Sequence, residues 1–175
     1  MAFLTATHGT PAGPFTLVVG PNGVCAGGFT SDVKRTVALL GARRARDAEL
    51  EGVRTVRHVG AASLAVLAWA DGDMEPLSRV ELDLEGTDFQ RQVWATLCTI
   101  PAGVPITYGA LAQSAGRPTA VRAASRGCAT NRISLFVPCH RVVPTGGGVG
   151  GFLWGPDVKQ AALAHEASSS ADGPD

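Results

Sequence analysis

The stretch PITYGALAQSAGRPTAVRAASRGCATNRISLFVPCHRVV, residues 105–143, decides the fold class of the second half of this 175-residue chain. Thr107 is placed to cap a short helix that Gly116 ends, and a second helix follows with Pro118 at its entrance. Two short helices joined by a tight Gly-containing turn fit a helix-turn-helix, and equally an ordinary αα-hairpin. A strand-like run, Ile133 to Val137, comes next, and Pro138 then presents Cys139, His140 and Arg141 in succession. A core strand does not need that sequel. A reactive thiol would account for it.

The second helix of the pair is unusual for a reader of DNA sequence. Thr119 to Thr130 holds Arg122 and Arg126, one turn apart, but no Asn, Gln, Asp or Glu to pair with base edges. Ala123 and its neighbours are mostly small, which lets a helix backbone approach DNA closely, so binding with little sequence preference is expected. Charge points the same way. The formal net charge is zero, yet from Phe89 to Pro156 there is no Asp or Glu, while Arg91, Arg117, Arg122, Arg126, Arg132 and Arg141 all fall there. Such a stretch predicts a positive field and an anionic partner, nucleic acid first.

Working outward, the chain divides near residue 86. Before it, Phe15 to Val19, the turn GPNG and the return VCAGGF read as a hairpin, and 41–58 is a polar, arginine-rich stretch. ASLAVLAWADGD predicts a helix with Leu64, Leu67 and Ala68 on one face, and RVELDL alternates as a half-buried strand does. That gives an α/β unit over 1–85. From Thr87 or Asp88 a capped helix carries Phe89, Val93, Trp94 and Leu97 until Pro101 and Gly103 stop it, opening a domain over 86–166. The end, 167–175, with ASSSADGPD, reads as a disordered tail.

Hydrophobic residues make up 45% and charged residues 17%, which excludes a disordered chain. The longest nearly apolar run is too short to span a bilayer and no secretory signal is visible, so the cytoplasm is the expected compartment. Cysteines stand at 25, 98, 128 and 139 with no C-x-x-C pair. A disulfide framework and a structural zinc site are therefore not expected, and three of the four are expected to be small core residues. TGGGVGG lacks the Lys-Ser/Thr of a phosphate loop, and no cofactor is expected.

An ordinary thiol is only a few per cent thiolate at neutral pH, so a nucleophilic Cys139 needs a base and the base an orienting group. His140 is adjacent, but neighbours in an extended chain point to opposite sides, so a bridging water or a turned backbone is required. Glu166, at the end of the helical KQAALAHE, can close back on His140. These residues fit a catalytic Cys-His-Glu set, and they also fit a buried structural cysteine.

PCHRV, with Asn131 upstream and GFLWGPDVKQAALAHE downstream, resembles the active-site region of the O6-alkylguanine-DNA alkyltransferases, the methylated-DNA–protein-cysteine methyltransferases. The likeness runs back through TYGALA and AVRAA to GTDFQRQVW, and more weakly to RVELDL, AWADGD and TPAGPFTLVV. It implies a small amino-terminal α/β, ribonuclease-H-like unit joined to a mostly α, winged-helix-like helix-turn-helix domain. It implies Cys139 as alkyl acceptor, with His140 taking the thiol proton through a water, Glu166 orienting the imidazole and Asn131 bracing the turn. Arg122 matches the arginine that enters the base stack and Tyr108 the tyrosine that turns the phosphate of the flipped nucleotide. Phe152, Leu153, Trp154 and Lys159 match the substrate pocket; Arg117, Ala123 and Thr145 match DNA contacts.

The implied partner is double-stranded DNA carrying O6-alkylguanine, bound from the minor groove by a monomer without cofactor or metal. The implied chemistry is one irreversible transfer, chiefly of methyl. Phe152 departs from the tyrosine of many members, which removes a hydroxyl contact, and Trp154 is expected to disfavour bulky alkyl groups such as benzyl. The alternative is a module that flags alkylated bases without repairing them; such relatives replace the cysteine, which is present here. A transcriptional regulator would need an effector domain, and a cysteine hydrolase would have no use for Arg122.

Overall fold

The computed structural model describes residues 2–171. The chain forms two compact units, one comprising Met1–Glu85 with Arg132–Phe136 and the other Gly86–Asn131 with Val137–Asp175.

The first unit is built on a four-stranded sheet. Strands β1 (Phe3–His8), β2 (Phe15–Gly20), β3 (Gly23–Gly28) and β4 (Val53–Thr55) lie in the order β3-β2-β1-β4. The expected hairpin is β2–β3, antiparallel, with a bulge between Val18 and Val19. β1 was not foreseen; it pairs antiparallel with β2 and parallel with β4. Helices α1 (Val33–Val37), α2 (Ala42–Glu51) and α3 (Gly60–Ala70) complete the unit. Phe15, Phe29, Trp69 and Phe136 form a chain of tilted and edge-on rings at 5.0–6.2 Å between centroids. Burying each contributes about 1.5–3 kcal/mol relative to exposure.

Three expectations change here. Helix α3 buries Ala62, Ala65, Val66 and Trp69, whereas Leu64 is 65% exposed. Trp69 sets the face: it is the largest side chain, and positions three, four and seven residues before it follow it inward. RVELDL makes only one parallel bridge, Leu82 to Val24, flanked by bonds from Val24 N–H to Glu81 O and Asp83 N–H to Val24 O. The arginine-rich stretch is ordered as α2, because Arg44 is buried and bonded to both Asp83 and Glu85.

In the second unit α4 (Asp88–Cys98) opens with a capping box in which Thr87 and Gln90 satisfy each other's backbone N–H. β5 (Ile106–Thr107) leads into α5 (Tyr108–Ser114), whose first turn is capped by Thr107 through Ala110 N–H at 3.1 Å. Gly116, at φ +76°, makes the turn toward α6 (Val121–Ala129). α6 lies close on α4: Trp94 Nε1 donates to Gly127 O at 2.9 Å, and a Cβ on Gly127 would meet Val93 Cγ1 at 2.8 Å. Some of the small residues of α6 are therefore spent on α4, while Ala123 and Ala129 stay exposed. A 3-10 turn, Cys139–Arg141, runs into β6 (Val142–Val143), which pairs parallel with β5. α7 (Pro156–Ala171) closes the unit.

The domain reading also shifts. Residues 132–136, expected in the carboxy-terminal domain, belong to the first unit, where Ile133 bridges Gly27. The run to Val137 is not a strand: Leu135 adopts φ +73°, which turns the chain. The expected tail from 167 begins inside α7. Ser168, Ser169 and Ser170 hydroxyls bond helix carbonyls three or four residues back, and Ser170 also donates to Ala102 O. Positions 172–175 of that tail lie outside the described residues. No described helix is long and apolar enough to cross a membrane.

Candidate active site

Cys139 is positioned by the turn that begins at the end of α6. Asn131 Nδ2 donates to Val137 O at 2.8 Å and to Cys139 Sγ at 3.0 Å, so one amide fixes both the turn and the sulfur. Cys139 N–H donates to Val137 O and Arg141 N–H to Pro138 O, winding the 3-10 turn that the adjacency of Cys139 and His140 requires. The thiol is buried. Burial pushes it above the ordinary thiol range, opposed by the Asn131 bond and by the positive charge of Lys159. A donor aimed at sulfur favours the thiolate over the thiol.

His140 and Glu166 are both fully buried, with Nε2 to Oε1 at 2.9 Å. Burial alone would raise the Glu166 carboxyl; the hydrogen bonds from His140 and Arg141, with the charge of Arg141, outweigh it and hold the group well below the usual carboxylate range. An ionised carboxylate only accepts, so His140 Nε2 carries the proton and Nδ1 offers a lone pair. Nδ1 is buried and has no hydrogen-bond partner among the described residues. A ring nitrogen left in that condition, on the residue next to a thiol, has the capacity to accept a hydrogen bond.

Arg141 is the residue that sequence reasoning missed. Its Nε and Nη2 donate to the two oxygens of Glu166 at 2.8 and 2.9 Å, and Nη1 donates to Ile100 O at 2.6 Å. Read as one of six field-generating arginines, it is instead buried and paired; only its adjacency to His140 hinted at this. Arg91 bonds Asp88 and Gly86 O, and Arg132 lies in the first unit. The exposed cluster in this unit is thus Arg117, Arg122 and Arg126, on and between α5 and α6.

Lys159 is fully buried and donates to Val142 O at 2.7 Å and Gly151 O at 3.3 Å. Tyr108, half-buried at the start of α5, is raised by burial and by the nearby Cys128 and Cys139 thiols. Trp154 is buried, Phe152 half-buried and Leu153 exposed. Arg117 places its guanidinium 4.7 Å from the centre of the Phe89 ring, and Ala123 and Thr145 are exposed. The structure therefore gathers Asn131, Cys139, His140 and Glu166 into one bonded group, with Lys159 and Tyr108 in electrostatic range of the sulfur. Of the cysteines, Cys25 is buried, Cys128 half-buried and Cys98 exposed at the end of α4, so the expected three core thiols reduce to fewer. Among the described residues no group of three His, Cys, Asp or Glu side chains is placed to hold a metal.

The family model for the DNA-binding domain of 6-O-methylguanine DNA methyltransferase matches residues 88–168. The chain is 45% identical over 91 residues to the regulatory protein Ada of Salmonella typhimurium, covering 52% of this chain and 26% of that protein. It is also 45% identical over 91 residues to a methylated-DNA–protein-cysteine methyltransferase of Mycolicibacterium paratuberculosis, covering 55% of it. The match thus spans about half or less of these curated relatives. The structure superposes on Mycobacterium tuberculosis OGT in complex with DNA at a TM-score of 0.74 and 31% identity, over 95% of this chain and 94% of that one. With the mixed α/β fold, the matched segment and this whole-chain similarity in place, the chain belongs to the O6-methylguanine DNA methyltransferase family.

Proposed function

We propose that this protein repairs DNA by transferring an alkyl group, chiefly methyl, from O6 of guanine to Cys139 in a single irreversible step. The observation that carries the proposal is the His140 arrangement: Nε2 committed to Glu166, Nδ1 buried and unpartnered, on the residue adjoining a thiol that Asn131 already grips. His140 Nδ1 takes the Cys139 proton through a water, and Glu166 carries the compensating charge. The thiolate attacks the alkyl carbon, the carbon–O6 bond breaks, and the proton held on His140 balances the departing guanine. The product thioether is stable, so each molecule acts once.

DNA is the partner this reading requires. Arg117, Arg122 and Arg126 are exposed around a helix pair that exposes small residues at 123 and 129, which suits minor-groove contact without base readout. Arg122 fills the stack when the damaged base is flipped out, offsetting part of a cost of a few kcal/mol. Tyr108 turns the phosphate, and Arg117, Ala123 and Thr145 meet the backbone. Phe152, Leu153 and Trp154 bound the pocket and disfavour benzyl relative to methyl. The finer architecture is ribonuclease-H-like in the first unit and winged-helix-like in the second, and the protein acts as a cytoplasmic monomer on the nucleoid.

The test is on the DNA. A duplex with O6-methylguanine inside a restriction site, incubated with limiting protein, is expected to regain cleavage in proportion to protein added and no further. Recovery that continues past one equivalent means a turning-over enzyme. Retained binding with no recovery means a recognition module.

A further inference from the structure

Lys159 is fully buried on α7, and its ammonium donates to the backbone oxygens of Val142 and Gly151. Among the described residues it meets no carboxylate. The contrast with Arg141 is direct: that buried cation is neutralised by both oxygens of Glu166. An ammonium taken out of water without a counter-ion is costly, so a fold that keeps one there gains something from the charge.

The thiols of Cys139 and Cys128 lie within range of its charge, and the other groups of this unit narrow what that is. Val142, whose carbonyl anchors the ammonium, directly follows the turn that carries Cys139. His140, Arg141 and Glu166 are engaged with one another. Tyr108 is raised by burial and stays neutral at physiological pH. Cys128, at the end of α6, is pushed up to about 12 by burial and then by Cys139, and stays a thiol. Cys139 is the thiol that a side-chain donor grips, the Asn131 amide lying 3.0 Å from its sulfur.

We propose that Lys159 is a positioning residue for the reacting thiol: its ammonium, anchored on the Val142 and Gly151 carbonyls, is the counter-charge for the Cys139 thiolate rather than a contact for substrate. The inference rests on the reading of Cys139 as the nucleophile. It makes two devices act on one sulfur, a neutral donor from Asn131 and a full charge from Lys159, while the Glu166–Arg141 pair keeps its own charge balanced.

The experiment uses the full chain and iodoacetamide, a neutral electrophile that needs no DNA. Carboxamidomethylation of Cys139 is followed by peptide mass against pH in the wild type, Lys159→Gln and Lys159→Arg. Gln still donates a hydrogen bond but carries no charge; Arg keeps the charge. The expected result is a Gln profile displaced to higher pH, with Cys139 about tenfold slower at neutral pH, one pKa unit, and an unchanged limiting rate at high pH. Arg is expected to restore most of the wild-type midpoint. Equal midpoints in all three proteins, or a lower rate at every pH in both variants alike, overturn the proposal. If Lys159→Gln does not fold, the wild type decides: blocking Cys139 with iodoacetamide must lower the pH at which the Lys159 Nζ resonance titrates, and an unmoved titration overturns the idea. An intact pH response together with no methyl transfer from DNA would sink the functional reading and leave this one standing.

Discussion

His140 Nε2 and Glu166 Oε1 are 2.9 Å apart with both side chains fully buried, and Arg141 occupies the remaining capacity of the same carboxylate. Glu166 therefore does two things at once: it fixes the imidazole tautomer and it neutralises a buried guanidinium.

Replacing Glu166 by Gln separates these from the rest of the site. General-base assistance contributes about 10²–10⁴-fold, so methyl transfer is expected to slow by about a hundredfold or more, read as the single-turnover rate on O6-methylguanine duplex. A rate within threefold of wild type would mean that His140 does not need the carboxylate.

Acid stability follows from the same group. Its folded value lies well below its unfolded value, so its contribution is present above the unfolded carboxylate range and is lost as pH falls through the folded one. Denaturant unfolding from pH 6 downward should show wild-type stability falling more steeply than that of Glu166→Gln. Parallel curves would contradict the assignment.

Arg141→Met leaves the carboxylate buried beside His140 without its other partner. Breaking a buried pair in this way costs about 3–5 kcal/mol, so a large fall in the denaturant midpoint is expected. The double variant Arg141→Met/Glu166→Gln should recover part of it, and a simple sum of the two losses would show that the residues are not coupled.

Gly127 sets how closely α6 approaches α4. Adding a methyl, Gly127→Ala, puts a carbon 2.8 Å from Val93 Cγ1. Overpacking of this kind costs about 1–3 kcal/mol, and shrinking the neighbour with Val93→Ala should return part of that stability and of the DNA affinity lost with it. Additive effects would place the contact elsewhere.

Arg122 and Arg126 are both exposed on α6 but are assigned different work. Arg126→Ala should weaken binding to any duplex and reduce the salt dependence by about one phosphate contact. Arg122→Ala should slow transfer from duplex much more than from the free base O6-methylguanine, since only the duplex has to be opened. Equal slowing on both would remove the wedge.

Much of the second unit was legible because its signals are local. Thr87, Thr107, Pro101 and Gly116 act on their own helix ends, and the structure ends the helices beside them. What was not legible depends on partners distant in sequence. Arg44 orders α2 only because Asp83 and Glu85 come to meet it, 39 and 41 residues away. Leu64 looked like core until Trp69 claimed the inward face of α3. Within the site, Cys139, His140 and Glu166 were readable as a set, Asn131 through the family resemblance, whereas the burial of Arg141 and Lys159 was not legible. Long basic side chains ordinarily reach water, and only the folded positions of Glu166, Val142 and Gly151 hold these two inside.

The central claim is that Cys139 is the acceptor, and intact-protein mass with peptide mapping tests it most directly. After incubation with excess O6-methylguanine duplex, the account predicts one added methyl per chain, located on Cys139, with no further gain over time and none in Cys139→Ala. Tight binding to the lesion with no change in mass, or a methyl found on Cys98 or Cys128 instead, would contradict it.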